Sequence, residues 1–215
     1  MASDSELELA PDAAEPVDPF SAKQSGVGYP DVGPARTALL VVDVVNDYVD
    51  PAGAMPAADC APVVEANRRL AETARAAGVT IVWIRPSHVD SSDGLFRKRI
   101  PHAIAGSWGA EFPEALGVAA GERVLGKRRY SAFFQTDLDL WLREHDVARV
   151  VVTGVALNIC VRSTVHDAFF NGYEVWVAGD ACRATGEREE ASTLYDIETH
   201  FGEVMTVDEV IAAWS

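Results

Sequence analysis

The sequence predicts a doubly wound α/β fold, in which a six-stranded, mainly parallel sheet carries helices on both faces in a three-layer, Rossmann-like arrangement. Six short apolar runs recur along the chain, and they are β-branched and nearly continuous, as is typical of strands buried on both faces. Helical patterns lie between most of these runs, and strands that alternate with helices favour a parallel sheet. Of the 215 residues, 48% are hydrophobic and 24% are charged, so a packed core is expected.

The predicted elements begin at Thr37 and continue to the end of the chain. The strands are Ala38–Val42, Val79–Ile84, Arg123–Leu125, Val150–Val152, Val175–Val177 and Val204–Thr206. The helices are Pro62–Ala77, Asp137–His145, Cys160–Asn171 and Glu187–His200, and a capping box at Thr206 and Glu209 predicts a final helix. Ligands of such folds bind beyond the carboxyl ends of the strands, so the residues after each run are the candidates for a site.

The first 35 residues differ in composition from the rest, and we predict an acidic N-terminal arm at 1–35 and a folded domain at 36–215. The first eighteen residues hold six acids, two prolines and no base. This start has no basic region of the kind that opens a secretory signal, and no apolar run approaches the length of a bilayer span. A cytoplasmic location and no membrane partner are therefore expected.

The charge balance and the cysteines limit the classes of partner. The chain has 18 basic and 33 acidic residues, a formal net charge of −15 at pH 7. Nucleic acids and anionic membranes attract surfaces rich in Lys and Arg, so neither is an expected partner. The few lysines beside many arginines fit either a GC-rich genome or adaptation to high salt, and the acid excess favours the second of these alternatives. Three cysteines without a C-x-x-C spacing disfavour both a disulfide framework and a Cys-rich zinc site.

Three strand ends carry side chains that can act together. Asp43 follows the first run, Lys127 follows the third, and Cys160 opens the predicted helix after the fourth. Separately, each has an ordinary interpretation: a turn aspartate, a surface lysine and a buried structural cysteine. Together they supply a nucleophile, a proton acceptor and a neighbouring cation at one edge of one sheet, and a helix N-terminus would favour the thiolate.

The strings around these residues resemble the isochorismatase-like cysteine hydrolase superfamily. They are VVDVVNDY around Asp43, GKRRYSAFFQTDLD around Lys127 and TGVALNICVRSTVHDAFFNGYEV around Cys160, and the resemblance covers the chain from about Thr37 onward. It implies the isochorismatase-like form of the fold and a catalytic triad. In that triad Asp43 takes the proton of Cys160, Cys160 attacks a carbonyl carbon, and Lys127 holds the carboxylate and polarises the site.

The resemblance also implies a backbone arrangement and a reaction course. The Val155–Ala156 peptide bond would be cis, and the N–H groups of Ala156 and Cys160 would form an oxyanion hole. Ammonia or an amine would leave, and water would then hydrolyse a thioester. Three positions depart from the family pattern: Val45 replaces a Gln, Tyr48 replaces a Phe that helps to line the pocket, and Leu157 replaces a Thr.

The stretch after the second run separates branches of the superfamily. Nicotinamidases carry an Asp-x-His metal motif there, whereas this chain has Trp83–His88 without a carboxylate two residues before the histidine. His88 and His102 are candidate ligands, but no metal and no other cofactor is expected. The stretch is more similar to metal-free ureidoacrylate amidohydrolases, biuret hydrolases and N-carbamoylsarcosine amidases.

The expected function is therefore a cysteine-dependent amidohydrolase that cleaves a C–N bond of a small ureido, carbamoyl or carboxamide compound and releases ammonia. The alternatives are an isochorismatase-type vinyl ether hydrolase, a nicotinamidase-like amidase and a non-catalytic module. The resemblance also implies a homo-oligomer, a dimer or a tetramer.

Four residues are candidates for substrate binding. Tyr48 takes the place of a pocket-lining residue, and Arg85 at the end of the second run is able to bind a substrate carboxylate or to form a surface salt bridge. Trp108 and Phe133 are candidates for the pocket wall, with core packing as the alternative. The run Arg97-Lys98-Arg99 is interpreted as a solvated loop or a subunit contact.

Overall fold

A computed structural model describes residues 32–215, and within them six strands form one sheet. The strands are β1 Thr37–Val42, β2 Thr80–Pro86, β3 Arg123–Lys127, β4 Arg149–Val155, β5 Glu174–Arg183 and β6 Glu203–Met205. Their order across the sheet is β3-β2-β1-β4-β5-β6, and every neighbouring pair is parallel. The predicted doubly wound α/β fold is confirmed. The predicted arm falls almost wholly outside the described residues.

Helices cover both faces of this sheet. They are α1 Asn46–Val49, α2 Ala61–Ala77, α3 Leu138–Glu144, α4 Arg162–Phe170, α5 Glu187–His200 and α6 Val207–Ala213. Within residues 32–215, none of these helices combines the length and apolarity that crossing a bilayer requires. Short 3₁₀ turns lie at Pro34–Arg36, Gly94–Arg97, Trp108–Ala110 and Glu114–Leu116.

Two apolar cores lie on opposite faces of the sheet because alternate side chains of a strand point to opposite sides. Leu40 belongs to the core with α3, α4 and α5, and Leu39 belongs to the core with α2 and α6. All residues of β1 and β4 are buried, which explains their uninterrupted apolar patterns. β5 extends beyond its predicted end at Val177. Its register with β4 shifts there, so that Val177 pairs with Val152 and Cys182 pairs with Gly154, and the strand continues past the apolar run.

The chain reverses its direction of winding between β1 and β4, and at this crevice such folds bind ligands. Gly154 near the end of β4 has φ +119°, and a Cβ there would overlap the Val42 carbonyl oxygen. Only glycine allows this approach of the two backbones, so Gly154 lets the β4 end lie against the β1 end.

Candidate active site

The three strand-end residues meet at this crevice. Lys127 Nζ lies 2.6 Å from Asp43 Oδ2, and both side chains are almost fully buried. The Cys160 thiol is within hydrogen-bonding reach of both groups. Lys127 Nζ also donates a hydrogen bond of 3.0 Å to the Arg129 carbonyl, which fixes the ammonium between the carboxylate and its own loop.

Asp43 owes its orientation to the way β1 ends. Its backbone is in the left-handed region with φ +56°, a conformation that costs about 1 kcal/mol or more for most residues and that Asp tolerates well. Its N–H donates to the Ile84 carbonyl at 2.8 Å, and its carbonyl accepts from the Val45 N–H at 2.9 Å. β1 therefore ends before Asp43, and the turn places the carboxylate beside Lys127.

The backbone around Cys160 differs from the regular helix that the sequence predicts. Instead of opening a regular helix at Cys160, the chain forms a π-helical turn at Leu157–Val161, and α4 starts at Arg162 and ends at Phe170. The Val155–Ala156 peptide bond is cis, and the Ala156 carbonyl accepts from the N–H groups of Ile159 and Val161, three and five residues later.

The end of β5 holds this turn in place through one side-chain pair. Asn158 Nδ2 donates to Thr185 Oγ1 at 2.9 Å, and the Thr185 N–H donates to Asn158 Oδ1 at 3.1 Å. Two hydrogen bonds in opposite directions fix the amide orientation, so the turn that carries Cys160 is tied to the neighbouring strand.

Burial dominates the protonation of the three groups. Burial raises the pKa of the Asp43 carboxyl above its ordinary value, although the Lys127 ammonium opposes this. Burial by itself would lower the pKa of Lys127, but the neighbouring Asp43 and Cys160 outweigh it and raise that pKa. Burial raises the pKa of the Cys160 thiol to about 12, so the expected preference for thiolate is reversed. The site therefore holds a neutral thiol beside a carboxylate that is a better base than usual.

A cavity of about 880 Å³ opens over Cys160 and is large enough for a small organic molecule. Its wall includes Ala156, Cys160 and Tyr48. The Tyr48 ring packs against His102, at 5.6 Å between ring centroids. Burial, followed by the charge of Asp43, raises the pKa of the Tyr48 hydroxyl, which remains protonated and able to donate a hydrogen bond.

The other predicted substrate-binding residues lie outside this lining. Arg85 Nη1 lies 2.9 Å from Glu111 Oε2, in a partly exposed ion pair. Trp108 is 54% exposed. Phe133 packs against the core and lies 5.9 Å from Tyr173 between ring centroids. The structure thus brings Tyr48 to the cavity, but not Arg85, Trp108 or Phe133.

Sequence reasoning missed a buried carboxylate that joins two loops beside the site. The Asp93 side chain is fully buried and accepts hydrogen bonds from Arg128 at 3.0 Å, from Arg129 at 3.3 Å and from the Leu95 N–H at 3.1 Å. Burial would raise the pKa of Asp93, but these donors outweigh it and lower that pKa to about 2. The loop after Lys127 is thereby fastened to the loop at 94–97, and no spacing signal in the sequence reveals this.

The candidate metal ligands form an aromatic cluster. His88 and His102 lie 5.4 Å apart between ring centroids, and Phe96 packs against both. His88 Nδ1 faces Asp93 at 3.4 Å, and His102 Nδ1 lies 2.7 Å from the Ile100 carbonyl oxygen. Within residues 32–215, no group of three or more His, Cys, Asp or Glu side chains is arranged to hold a metal ion.

Comparison with known proteins gives a consistent assignment. A family model described as the isochorismatase domain matches residues 37–209. The chain is 35% identical over 202 residues to the ureidoacrylate amidohydrolase of Serratia proteamaculans, with 81% of each chain covered.

Solved structures agree with the family model. An isochorismatase-like hydrolase from Alkaliphilus metalliredigens matches with a TM-score of 0.79 and 36% identity, covering 84% of this chain and 100% of that one. An N-carbamoylsarcosine amidase from Thermoplasma acidophilum matches with a TM-score of 0.74 and 31% identity, covering 80% of this chain and 97% of that one. By its fold, its matched domain and these likenesses, the chain belongs to the isochorismatase family.

Proposed function

We propose that this protein is a cysteine-dependent amidohydrolase that cleaves a C–N bond of a small ureido, carbamoyl or carboxamide compound and releases ammonia. The observation that carries the proposal is the buried Asp43–Lys127 ion pair in contact with the Cys160 thiol at the wall of a cavity. The 35% identity to a ureidoacrylate amidohydrolase and the match to an N-carbamoylsarcosine amidase support this reaction class.

The first half of the reaction forms a covalent intermediate. Asp43 takes the proton of Cys160, and the sulfur attacks the carbonyl carbon of the substrate. A thiol with a pKa near 12 requires this base, because at neutral pH almost no thiolate exists without it. Lys127 remains a cation and offsets the negative charge that moves from Asp43 to sulfur and then to the carbonyl oxygen.

The second half releases the products. The N–H groups of Ala156 and Cys160 would stabilise the oxyanion, and Asp43 returns its proton to the leaving nitrogen as the C–N bond breaks and ammonia departs. A thioester remains on Cys160, or a thiocarbamate where the substrate is a ureido compound. Water attacks its carbonyl carbon with Asp43 again taking a proton, and the thiol is restored as the acid departs.

The test is ammonia release from a panel of ureido, carbamoyl and carboxamide compounds, including nicotinamide. Cys160→Ala should lower the rate on any active compound by about 10⁴-fold or more, as expected for removal of a nucleophile. Cys182→Ala is the matched control, because Cys182 is also buried and its thiol pKa is also raised by burial to about 12, but it lies outside the cavity lining.

The alternatives give different outcomes of this assay. Retained ammonia release in Cys160→Ala would overturn the cysteine mechanism. Pyruvate release from isochorismate, with the amide panel inactive, would favour the vinyl ether hydrolase. Activity confined to nicotinamide would favour the nicotinamidase-like amidase.

We also propose that the protein acts as a homo-oligomer without nucleic acid or membrane partners. Aromatic side chains group on the surface where α4 meets α5: Phe170 is 70% exposed and packs against Phe169 and Phe201. Burial of such a patch against a second copy would remove apolar surface from water. Sedimentation in molar salt should give a mass of at least two chains, and a mass of one chain would contradict the proposal.

A further inference from the structure

Two arginines line the cavity, and they differ in what they already bind. Arg183 Nη2 donates to the Asp59 carbonyl at 3.1 Å, and its Nη1 lies 3.9 Å from Glu190. Arg99 forms no ion pair and no side-chain hydrogen bond with any residue of 32–215, yet it belongs to the cavity lining. Among the described residues of the wall, Arg99 is thus the guanidinium left for a ligand.

The charges around the two arginines also differ. The lining holds three acids, Asp59, Glu187 and Glu190, and two of them contact Arg183: Asp59 through its carbonyl and Glu190 through its side chain. The segment 94–110 that carries Arg99 holds three basic residues and no acid, in a chain whose net charge is −15. The segment 123–136 beside it likewise contains no acid. A ligand anion would therefore be repelled near Arg183 and attracted near Arg99.

The segment with Arg99 is anchored on both sides. Before it, the buried Asp93 accepts from the Leu95 N–H at 3.1 Å and from Arg128 of the neighbouring loop at 3.0 Å. After it, the buried Asp47 accepts from the Ala103 N–H at 2.6 Å, and the His102 ring packs against Tyr48. These anchors limit the freedom of the Arg99 backbone, which lowers the entropic cost of holding its guanidinium against a ligand.

We propose that Arg99 binds a carboxylate of the substrate remote from the scissile group, and thereby selects anionic over neutral ureido compounds. The guanidinium fork matches a carboxylate with two parallel N–H donors, which a single ammonium does not. This inference rests on the proposed function. It gives to Arg99 the anion-binding role for which Arg85 was the candidate in the sequence analysis, because Arg85 is paired with Glu111 outside the cavity lining.

The test compares an acid with a neutral compound of similar size. Ammonia release is measured for N-carbamoylglycine and for (2-hydroxyethyl)urea, and the ratio of the two kcat/KM values is the readout. In Arg99→Gln this ratio should fall by at least about tenfold, mainly through a higher KM for the acid, and Arg99→Lys should restore part of it. Added salt should reduce the preference of the wild type for the acid and leave Arg99→Gln nearly unaffected.

Two control variants distinguish a direct contact of Arg99 with the carboxylate from the general electrostatic effect of the basic loop. Arg97→Gln removes the same charge from the same loop, but Arg97 lies outside the cavity lining, so its ratio should stay within about twofold of the wild type. Arg183→Gln tests whether the other arginine of the cavity lining binds the carboxylate instead. An unchanged ratio in Arg99→Gln, an equal fall in Arg97→Gln, or a fall only in Arg183→Gln would overturn the role of Arg99.

The inference and the proposed function fail in different ways. If the wild type hydrolyses neither compound nor any other member of the panel, the proposed function fails. Calorimetric binding of N-carbamoylglycine to Cys160→Ala, with and without Arg99→Gln, then tests Arg99 alone. Binding that weakens at least about tenfold on loss of Arg99 supports the inference, and equal binding or none overturns it.

Discussion

Two buried ion pairs lie at opposite edges of the same sheet, and only one of them belongs to the candidate active site. At the carboxyl edge, Lys127 and Asp43 are 2.6 Å apart, with side chains 3% and 0% exposed. At the amino edge, Arg149 and Glu174 are 2.8 Å apart, with side chains 9% and 5% exposed. Burial and distance are thus nearly the same, and they do not distinguish a reactive pair from a structural one.

The surroundings of the pairs account for the difference. Arg149 also donates to the Val32 carbonyl, and its guanidinium lies over the Trp176 ring at 3.7 Å from the centroid. Arginine does not lose its proton in proteins, so this pair can only hold the ends of β4 and β5 together. The Asp43–Lys127 pair contacts the Cys160 thiol beside a cavity, so the thiol can supply a proton and the cavity has room for a substrate. The neighbouring thiol and cavity, more than burial, therefore distinguish the Asp43–Lys127 pair as the candidate for catalysis.

The largest effect is expected when the cation of each pair is replaced, since one replacement should lower activity and the other should lower stability. Lys127→Met should lower kcat/KM for ammonia release by about 10³-fold or more, because the charge that stabilises the developing anion is lost. Arg149→Met should leave kcat/KM within about twofold while lowering the free energy of unfolding by about 3–5 kcal/mol, as expected when one partner of a buried pair is removed. Urea unfolding and steady-state kinetics on both variants check this. Loss of activity in folded Arg149→Met would break the comparison.

A smaller effect is expected in the pH profile. Asp43 must be ionised to take the thiol proton, and burial raises its pKa, so the acid limb of kcat/KM should have its midpoint above the ordinary range for Asp. Burial also raises the pKa of Glu174, which lies outside the cavity lining, so Glu174→Gln should keep the same limb. If the midpoint of the acid limb shifts in Glu174→Gln, the limb reports the ionisation of Glu174 and not that of Asp43.

The stability contributions of the two carboxyls have one sign. Each pKa is raised in the folded state, so the folded chain holds each proton more tightly than the unfolded chain does. Each group therefore favours folding at pH below its ordinary pKa and loses that contribution as the pH rises through the raised value. Asp43→Asn should remove its share of this dependence, which urea titrations from the ordinary pKa of Asp upward would show as a smaller loss of stability with rising pH.

The smallest expected effect concerns the surface charge. If the acid excess is a salt adaptation, raising the salt from low to molar concentration should raise the Tm by a few degrees, because fifteen net negative charges then repel one another less. Screening acts weakly on buried pairs, so the Tm difference between the wild type and Arg149→Met should stay nearly constant across the series. A flat series for the wild type would favour genome composition as the origin of the acidity.

The fold and the central residues could be predicted from local patterns in the sequence. β1 and β4 are buried on both faces, so their apolar runs are uninterrupted, and the residues after them fall at the carboxyl edge of any parallel sheet. That rule led to Asp43 and Cys160. The cytoplasmic location and the N-terminal arm stay predictions.

The rest of the site could not be predicted, because it depends on contacts between distant segments. The π-helical turn around Cys160 is hydrogen-bonded through Asn158 to the distant Thr185, and periodicity in the sequence does not reveal such bonds. Burial in the assembled core also set the thiol pKa, against the expectation from a helix N-terminus alone.

Local apolar patterns were enough to predict which strands and helices follow one another along the chain and that Asp43, Lys127 and Cys160 follow strands, since hydrophobic periodicity is a local property of the chain. The positions of Arg85 and Arg99 relative to the cavity depend instead on contacts between distant segments. The sequence pointed to Arg85 as the anion-binding candidate and to Arg99 as part of a solvated loop or a subunit contact, but Glu111 pairs with the first outside the cavity lining. The second lies between segments anchored by Asp93 and Asp47. The position of this loop follows from the long-range hydrogen bonds that Asp93 accepts from Arg128 and Asp47 accepts from Ala103, which no local pattern encodes.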